Sequence, residues 1–161
     1  MKASPTLTAN CQAVLVDLIE MHVQGKQAHW NIVGTNFRDL HLQLDEIVEA
    51  ARGFADETAE RMRALHAVPD GRSSTVAKST SLTEFPGGLI ATKDAIERIV
   101  AALEAVVGTA RKVHDEVDEE DPTSADLLHV IIEKLEQFAW MVNAENMKPT
   151  DDVTVPDTKK K

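Results

Sequence analysis

At 161 residues the chain is one domain's worth of polypeptide, long enough to bury a substantial core and too short for two. Its 27 acidic residues outnumber 17 basic ones for a net charge of −10, which argues against a conventional phosphate-neutralising surface and makes cations the natural partner. A single cysteine, Cys11, excludes an internal disulfide; there is no signal-peptide-like stretch and no apolar run near the roughly 18 residues that span a bilayer, so a cytoplasmic protein without membrane contact is expected.

Four long helical segments are predicted in chain order. The first covers about residues 8–32, with Val14, Leu18, Met21, Gly25 and Ala28 at three- and four-residue steps, and ends near Gly34. The second covers about residues 39–66 and carries Leu40, Leu44, Ile47, Ala51, Phe54, Thr58, Met62 and Leu65 as its buried stripe. Pro69, Gly71 and a Ser/Thr-rich stretch then break the pattern. The link over residues 67–88 is long for a bundle loop, so it either carries a short helix near residues 75–84 or crosses from one end of the bundle to the other. A third helix follows over residues 89–117, marked by Ile96, Ile99, Leu103, Val106, Ala110 and Val113. Asp121 as N-cap and Pro122 at the first helical position open the fourth, which runs to about residue 146 with Leu128, Ile131, Leu135, Phe138 and Val142 inward. Residues 1–147 form the folded domain, and residues 148–161, with Pro149 and Pro156 and no helical period, form an irregular, mobile tail.

The residues that carry chemistry are His29, His41, Asp56 and Glu60. His41 and Asp56 lie on the same predicted helix, and fifteen residues at ~1.5 Å rise separate them by ~22 Å along its axis, too far for one metal ion. His41, Asp45, Arg52, Asp56 and Glu60 nevertheless share the polar face beside the buried stripe. Two copies of this helix packed antiparallel about a twofold axis near Glu49 or Ala50 would bring His41 of one beside Asp56 and Glu60 of the other. Mixed imidazole and carboxylate donors suit Fe(II), whereas structural zinc more often recruits cysteine.

These residues carry a resemblance. Gln27, His29, Trp30 and Asn31, then Phe37, His41 and Asp45, then Asp56 and Glu60, at ligand spacings of twelve, fifteen and four, resemble the ferroxidase signature of the Dps proteins. These are the small ferritin-like iron-storage and DNA-protection proteins of starved bacteria, and the similarity extends over about residues 14–145. The resemblance implies an all-α, ferritin-like four-helix bundle with a short helix in the long crossover between the second and third helices. It implies assembly into a hollow homo-dodecamer. It further implies a ferroxidase that takes Fe2+ as substrate at sites shared across twofold interfaces, favours hydrogen peroxide as oxidant, and stores Fe3+ as mineral.

Around this set, Asp45 either contributes to metal binding through water or orients an imidazole as a hydrogen-bond acceptor. Trp30 either lines the site, where its indole intercepts oxidising equivalents, or is a buried aromatic packing at the helix end. His22, His66, His114 and His129 match no ligand position of the resemblance and read as structural or exposed. Larger ferritins use Glu-x-x-His pairs inside one bundle; this chain has none, Asp126-x-x-His129 being the nearest approach.

The acidic junction of the third and fourth helices, including Glu119, Glu120, Asp121 and Asp126, reads either as a solvated helix start or, in a Dps-like shell, as the lining of a threefold cation pore. DNA contact, and with it nucleoid association, would rest on Lys159, Lys160 and Lys161, whose charge is partly offset by Asp151, Asp152 and Asp157. The alternative function is a nucleoid-compacting, DNA-binding structural protein with a weak or vestigial metal site.

Overall fold

Ser4 opens the first helix: its hydroxyl accepts a hydrogen bond from the Leu7 N–H at 3.0 Å, and Pro5 occupies the first helical position, where its missing N–H costs nothing. The cap moves the start earlier than residue 8. The computed structural model describes residues 1–151, 153 and 154. It contains α1 (Pro5–Asn31), β1 (Ile32–Val33), α2 (Phe37–Ala64), α3 (Ser73–Ser79), β2 (Ile90–Ala91), α4 (Thr92–Glu120) and α5 (Pro122–Asn143). The fold is all-α and ferritin-like, as expected, with the short helix inside the crossover.

The apolar stripes meet along the bundle axis, where Leu18, Met21, Leu44, Ile47, Met62, Ile99, Leu103, Ile131 and Leu135 are almost completely shielded from solvent. Burying each such side chain contributes about 1.5–3 kcal/mol. α1 pairs with α2, α4 with α5, and α1 with α4. Gly25 sets the spacing of the first pair, because a Cβ there would stand 2.6 Å from Val48 Cγ2. The two helices that carry the histidines therefore approach closely. Phe54 is only partly buried, and the adjacent Ala55 takes the inward position.

The crossover runs the length of the bundle. It leaves α2 at the end where Ala3 N–H donates to the Leu65 carbonyl, and arrives at the other end, where Ile90 and Ala91 pair in parallel with Ile32 and Val33. Three anchors hold it to α1. Gln12 and Asp70 exchange two hydrogen bonds, Gln24 donates to the Thr83 carbonyl, and buried Asp17 accepts from Thr80 Oγ1, Ser81 N–H and Ser81 Oγ. Capture by Asp17 extends the chain at Thr80, so α3 ends at Ser79 instead of reaching residue 84. Likewise α4 begins at Thr92, since the bridge to β1 occupies Ile90 and Ala91. At the opposite end α4 continues to Glu120, whose carboxylate binds the Ser4 backbone and hydroxyl.

Candidate metal centre

His29 lies in the last turn of α1 and His41 in the first turns of α2, and the short connection through β1 folds them against each other. Their rings stack with centroids 3.6 Å apart and planes inclined by 23°, and Phe37 covers His41 at 5.1 Å. His29 Nδ1 lies 3.0 Å from the His41 carbonyl oxygen, and His41 Nδ1 lies 3.1 Å from the His29 carbonyl oxygen. A carbonyl only accepts, so each Nδ1 carries a proton, and in the neutral ring that leaves the lone pair on Nε2. Both rings are thereby prepared as neutral nitrogen donors, the form that binds a divalent metal.

Asp45, one turn after His41, stands 3.3 Å from His29 Nδ1 and forms a close ion pair with Lys26. The Lys26 ammonium holds its carboxyl below the usual carboxylate range, against a smaller opposing effect of desolvation. Asp45 is thus a charged neighbour of the His29 ring, whose Nδ1 proton goes to the His41 carbonyl. Trp30 is 69% exposed, so within the single chain it does not pack as a buried aromatic.

The carboxylates are elsewhere. Asp56 and Glu60 are exposed on α2, about four turns from His41. Among the described residues no group of three or more His, Cys, Asp or Glu side chains stands in metal-holding geometry. One subunit thus brings together the two imidazoles and leaves the two carboxylates apart. A groove of about 980 Å³ runs along α1 and α2 from Lys26 and Asp45, beside His29, to Asp56, with Leu15, His22 and Arg52 between them; His29, His41 and Glu60 do not line it. Burial, with help from Arg52 and Lys26, pushes the His22 imidazole below its usual range.

The acidic junction is not uniform. Asp121 is only 5% exposed, and its carboxylate accepts two hydrogen bonds from the Arg61 guanidinium, at 2.9 and 2.7 Å, and one from the Ser124 hydroxyl. It stands at the N-cap of α5, ahead of Pro122, as expected, but its side chain makes no cap bond, because Arg61 and Ser124 occupy it. Burial opposes its ionisation, but these hydrogen bonds prevail and the carboxyl titrates below its usual range. Asp121 therefore ties α2 to α5 and is no free pore carboxylate. Glu120 is engaged by Ser4, whereas Glu119 and Asp126 are exposed. Burial, with Asp121 nearby, pushes the Cys11 thiol up to about 11, far from thiolate chemistry. Lys159, Lys160 and Lys161 lie outside the described residues. His114 and His129, read from the sequence as structural or exposed, stand with their Nε2 atoms 2.7 Å apart. No motif links them; only the packing of α4 on α5 does.

Among the described residues no helix is long and apolar enough to cross a membrane. The family described as a ferritin-like domain matches residues 9–148. The chain is 34% identical over 145 residues to DNA protection during starvation protein 2 of Deinococcus radiodurans, covering 89% of this chain and 60% of that relative's length. It is 33% identical over 129 residues to the DNA protection during starvation protein of Mycolicibacterium smegmatis, covering 78% and 68% respectively. Among solved structures, a Dps crystal structure from Deinococcus radiodurans superposes with a TM-score of 0.86 at 33% identity, covering 91% of this chain and 89% of the other. Dps from Microbacterium arborescens in the high iron form superposes with a TM-score of 0.81 at 35% identity, covering 91% and 98%. Bundle, crossover helix and comparisons agree, and the chain belongs to the Dps family of ferritin-like proteins.

Proposed function

We propose that this protein is a ferroxidase and iron store whose catalytic centre is divided between two subunits. The observation that carries the reading is the split itself: two stacked imidazoles beside the Lys26 and Asp45 end of the α1–α2 groove, and two exposed carboxylates about four turns or more further along α2. An antiparallel twofold mate laid in that groove sets Asp56 and Glu60 of one copy against His29 and His41 of the other, and the contact is isologous. The donor set is two neutral imidazoles and two carboxylates, which suits Fe(II) and offsets the rising charge as Fe(III) forms. Asp45 holds the His29 ring in place, and Trp30 lies beside the site as an oxidisable indole. The solved Microbacterium arborescens relative described as a high iron form supports iron as the substrate.

Hydrogen peroxide is the oxidant in this reading. Two Fe(II) ions each give one electron, the O–O bond breaks, and two protons complete two water molecules. Hydrolysis of the Fe(III) then releases protons as mineral grows inside a closed homo-dodecamer, fed through a threefold opening where Glu119 and Asp126 attract cations. A mixing experiment tests the shared site. Shells reassembled from inactive His41→Ala and inactive Asp56→Ala subunits regain Fe(II) oxidation at the fraction of interfaces that pair an intact His41 with an intact Asp56. Verified mixed shells that stay inactive would show that the ligands are not shared.

A second reading, DNA compaction, is favoured by the names of the relatives, several of which are DNA protection during starvation proteins. Against an acidic body of charge −10, such contact depends on the terminal lysines and weakens steeply with salt.

A further inference from the structure

Outside the ferroxidase residues, His114 on α4 and His129 on α5 form a second pair of converging imidazoles. Their Nε2 atoms stand 2.7 Å apart, with ring centroids at 4.5 Å and planes inclined by 34°. The other nitrogen of each ring faces a carboxylate: His114 Nδ1 is 3.1 Å from Asp115 Oδ1, and His129 Nδ1 is 3.8 Å from Asp126 Oδ1. An ionised carboxylate only accepts, so Asp115 favours the tautomer with the proton on His114 Nδ1, and Asp126, beyond hydrogen-bond distance, attracts a proton on His129 Nδ1 more weakly. Both Nε2 lone pairs then point into the same gap. Two lone pairs at 2.7 Å repel unless a cation sits between them, either a proton or a metal ion.

We propose that His114 and His129 form a site for a divalent late transition-metal cation of the Zn2+ or Cu2+ kind, bound through both Nε2 atoms and separate from the ferroxidase centre. The Asp115 carboxylate behind His114 orients that ring with its Nε2 toward the gap, the arrangement that aims metal-bound histidines generally. Neutral imidazoles without a carboxylate in direct reach rank Cu2+ and Zn2+ above Fe2+, opposite in emphasis to the mixed donor set of His29, His41, Asp56 and Glu60. A tetrahedral ion with bonds of ~2.05 Å needs the two nitrogens about 3.3 Å apart, so the rings part by roughly 0.6 Å on binding. The His129 side chain is 60% exposed and free to move by that amount, while His114, at 22%, is the fixed partner.

The pair opens into a pocket of about 410 Å³ bounded by Arg111, Ile132, Glu133 and Glu136. Arg111 is tied to Glu136 at 2.5 Å, so its charge is offset and does not repel an incoming ion. No third His, Cys, Asp or Glu joins the pair in metal-holding geometry among the described residues, which leaves the remaining coordination positions to water. The ion bridges α4 to α5, and because it binds only the folded form it stabilises the helix pair by mass action.

The test uses Zn2+ as a redox-silent probe on the assembled protein, in a His41→Ala background that weakens competition from the ferroxidase site. Calorimetric titration is expected to find one Zn2+ per subunit and a rise in melting temperature, and both vanish when His129→Gln or His114→Gln is added. The two glutamine variants, each checked for helix content, keep a polar side chain at an exposed or half-buried position, so at least one reports on a folded protein. Equal Zn2+ uptake and equal thermal shift with and without the glutamine substitutions overturn the proposal. So does the absence of any Zn2+ uptake in the His41→Ala protein, which would leave a shared proton as the cation between the rings.

Discussion

His29 and His41 hold each other by exchanged hydrogen bonds, the Nδ1 of each donating to the backbone carbonyl of the other at 3.0 and 3.1 Å. Each residue therefore fixes the tautomer and the aim of its partner. Removing one ring deletes one imidazole and also the stacking surface 3.6 Å from the other ring, whose own hydrogen bond to the backbone carbonyl remains.

The consequence is non-additivity. His29→Ala and His41→Ala each lower Fe(II) oxidation strongly while helix content is nearly unchanged, and the double variant loses no more than the worse single one, because the pair acts as a unit. Fe(II)-oxidation rates of the three variants, measured on assembled protein, decide the matter. Losses that multiply would mean two independent ligands and would remove the argument from mutual orientation.

Asp17 is the corresponding hinge point of the fold. It is 2% exposed, and its carboxylate accepts from Thr80 Oγ1, Ser81 N–H, Ser81 Oγ and Thr109 Oγ1 at 2.9, 2.8, 2.6 and 2.6 Å. Asp17→Ala leaves these donors without their acceptor and is expected to cost about 3 kcal/mol, a fall of roughly 6–12 °C in melting temperature. Hydrogen exchange should localise the damage to the crossover. Uniform loss of protection over all helices would instead mean that Asp17 supports the bundle as a whole.

The Asp121–Arg61 pair sets a pH dependence. With its folded titration point below the usual ~3.9, Asp121 contributes stability that is fully present above that value and is lost as pH falls through the lower, folded one. Asp121→Asn should therefore melt below the parent protein at pH 7 and pH 5, with the gap closing only under about pH 4. Melting curves at pH 7, 5 and 3 measure it. A gap that stays constant down to pH 3 would show that shape, and not the ionised carboxylate, holds α2 to α5.

Legibility in the sequence followed the range of the interactions involved. Stripes such as Leu44, Ile47 and Met62 or Ile99, Leu103 and Val106 repeat with the helix period, and all of them are buried. Helix ends depended on distant partners. The start of α4 shifts to Thr92 because Ile32 and Val33 claim the residues before it, and α3 stops at Ser79 because Asp17, more than sixty positions earlier, claims Thr80 and Ser81. The spacing of His29, His41, Asp56 and Glu60 is what singles out the proposed ligand set, but the exchanged hydrogen bonds of His29 and His41 are not legible in it, since they depend on the angle at which α2 returns along α1. His114 and His129 carried no signal at all: fifteen residues apart on two helices, they meet only through the α4–α5 packing.

DNA contact, if the terminal lysines provide it, has a simple electrostatic signature. Deleting residues 157–161 removes three lysines and one aspartate, a loss of two positive charges per chain (3 − 1 = 2), from a protein whose net charge is already −10. Each lysine that neutralises a phosphate releases condensed counterions, so the logarithm of affinity falls with the logarithm of salt in proportion to the contacts made. In the proposed shell many tails would act together, which multiplies a weak single contact. Full-length protein should shift DNA at low salt and let it go as salt rises, and the truncated form should let it go earlier with a shallower salt slope. Fe(II) oxidation should be equal in the two forms, because His29, His41, Asp56 and Glu60 all lie on α1 and α2. Superimposable salt titrations would remove the tail from DNA binding, and any DNA contact would then come from elsewhere, such as the N-terminal segment around Lys2.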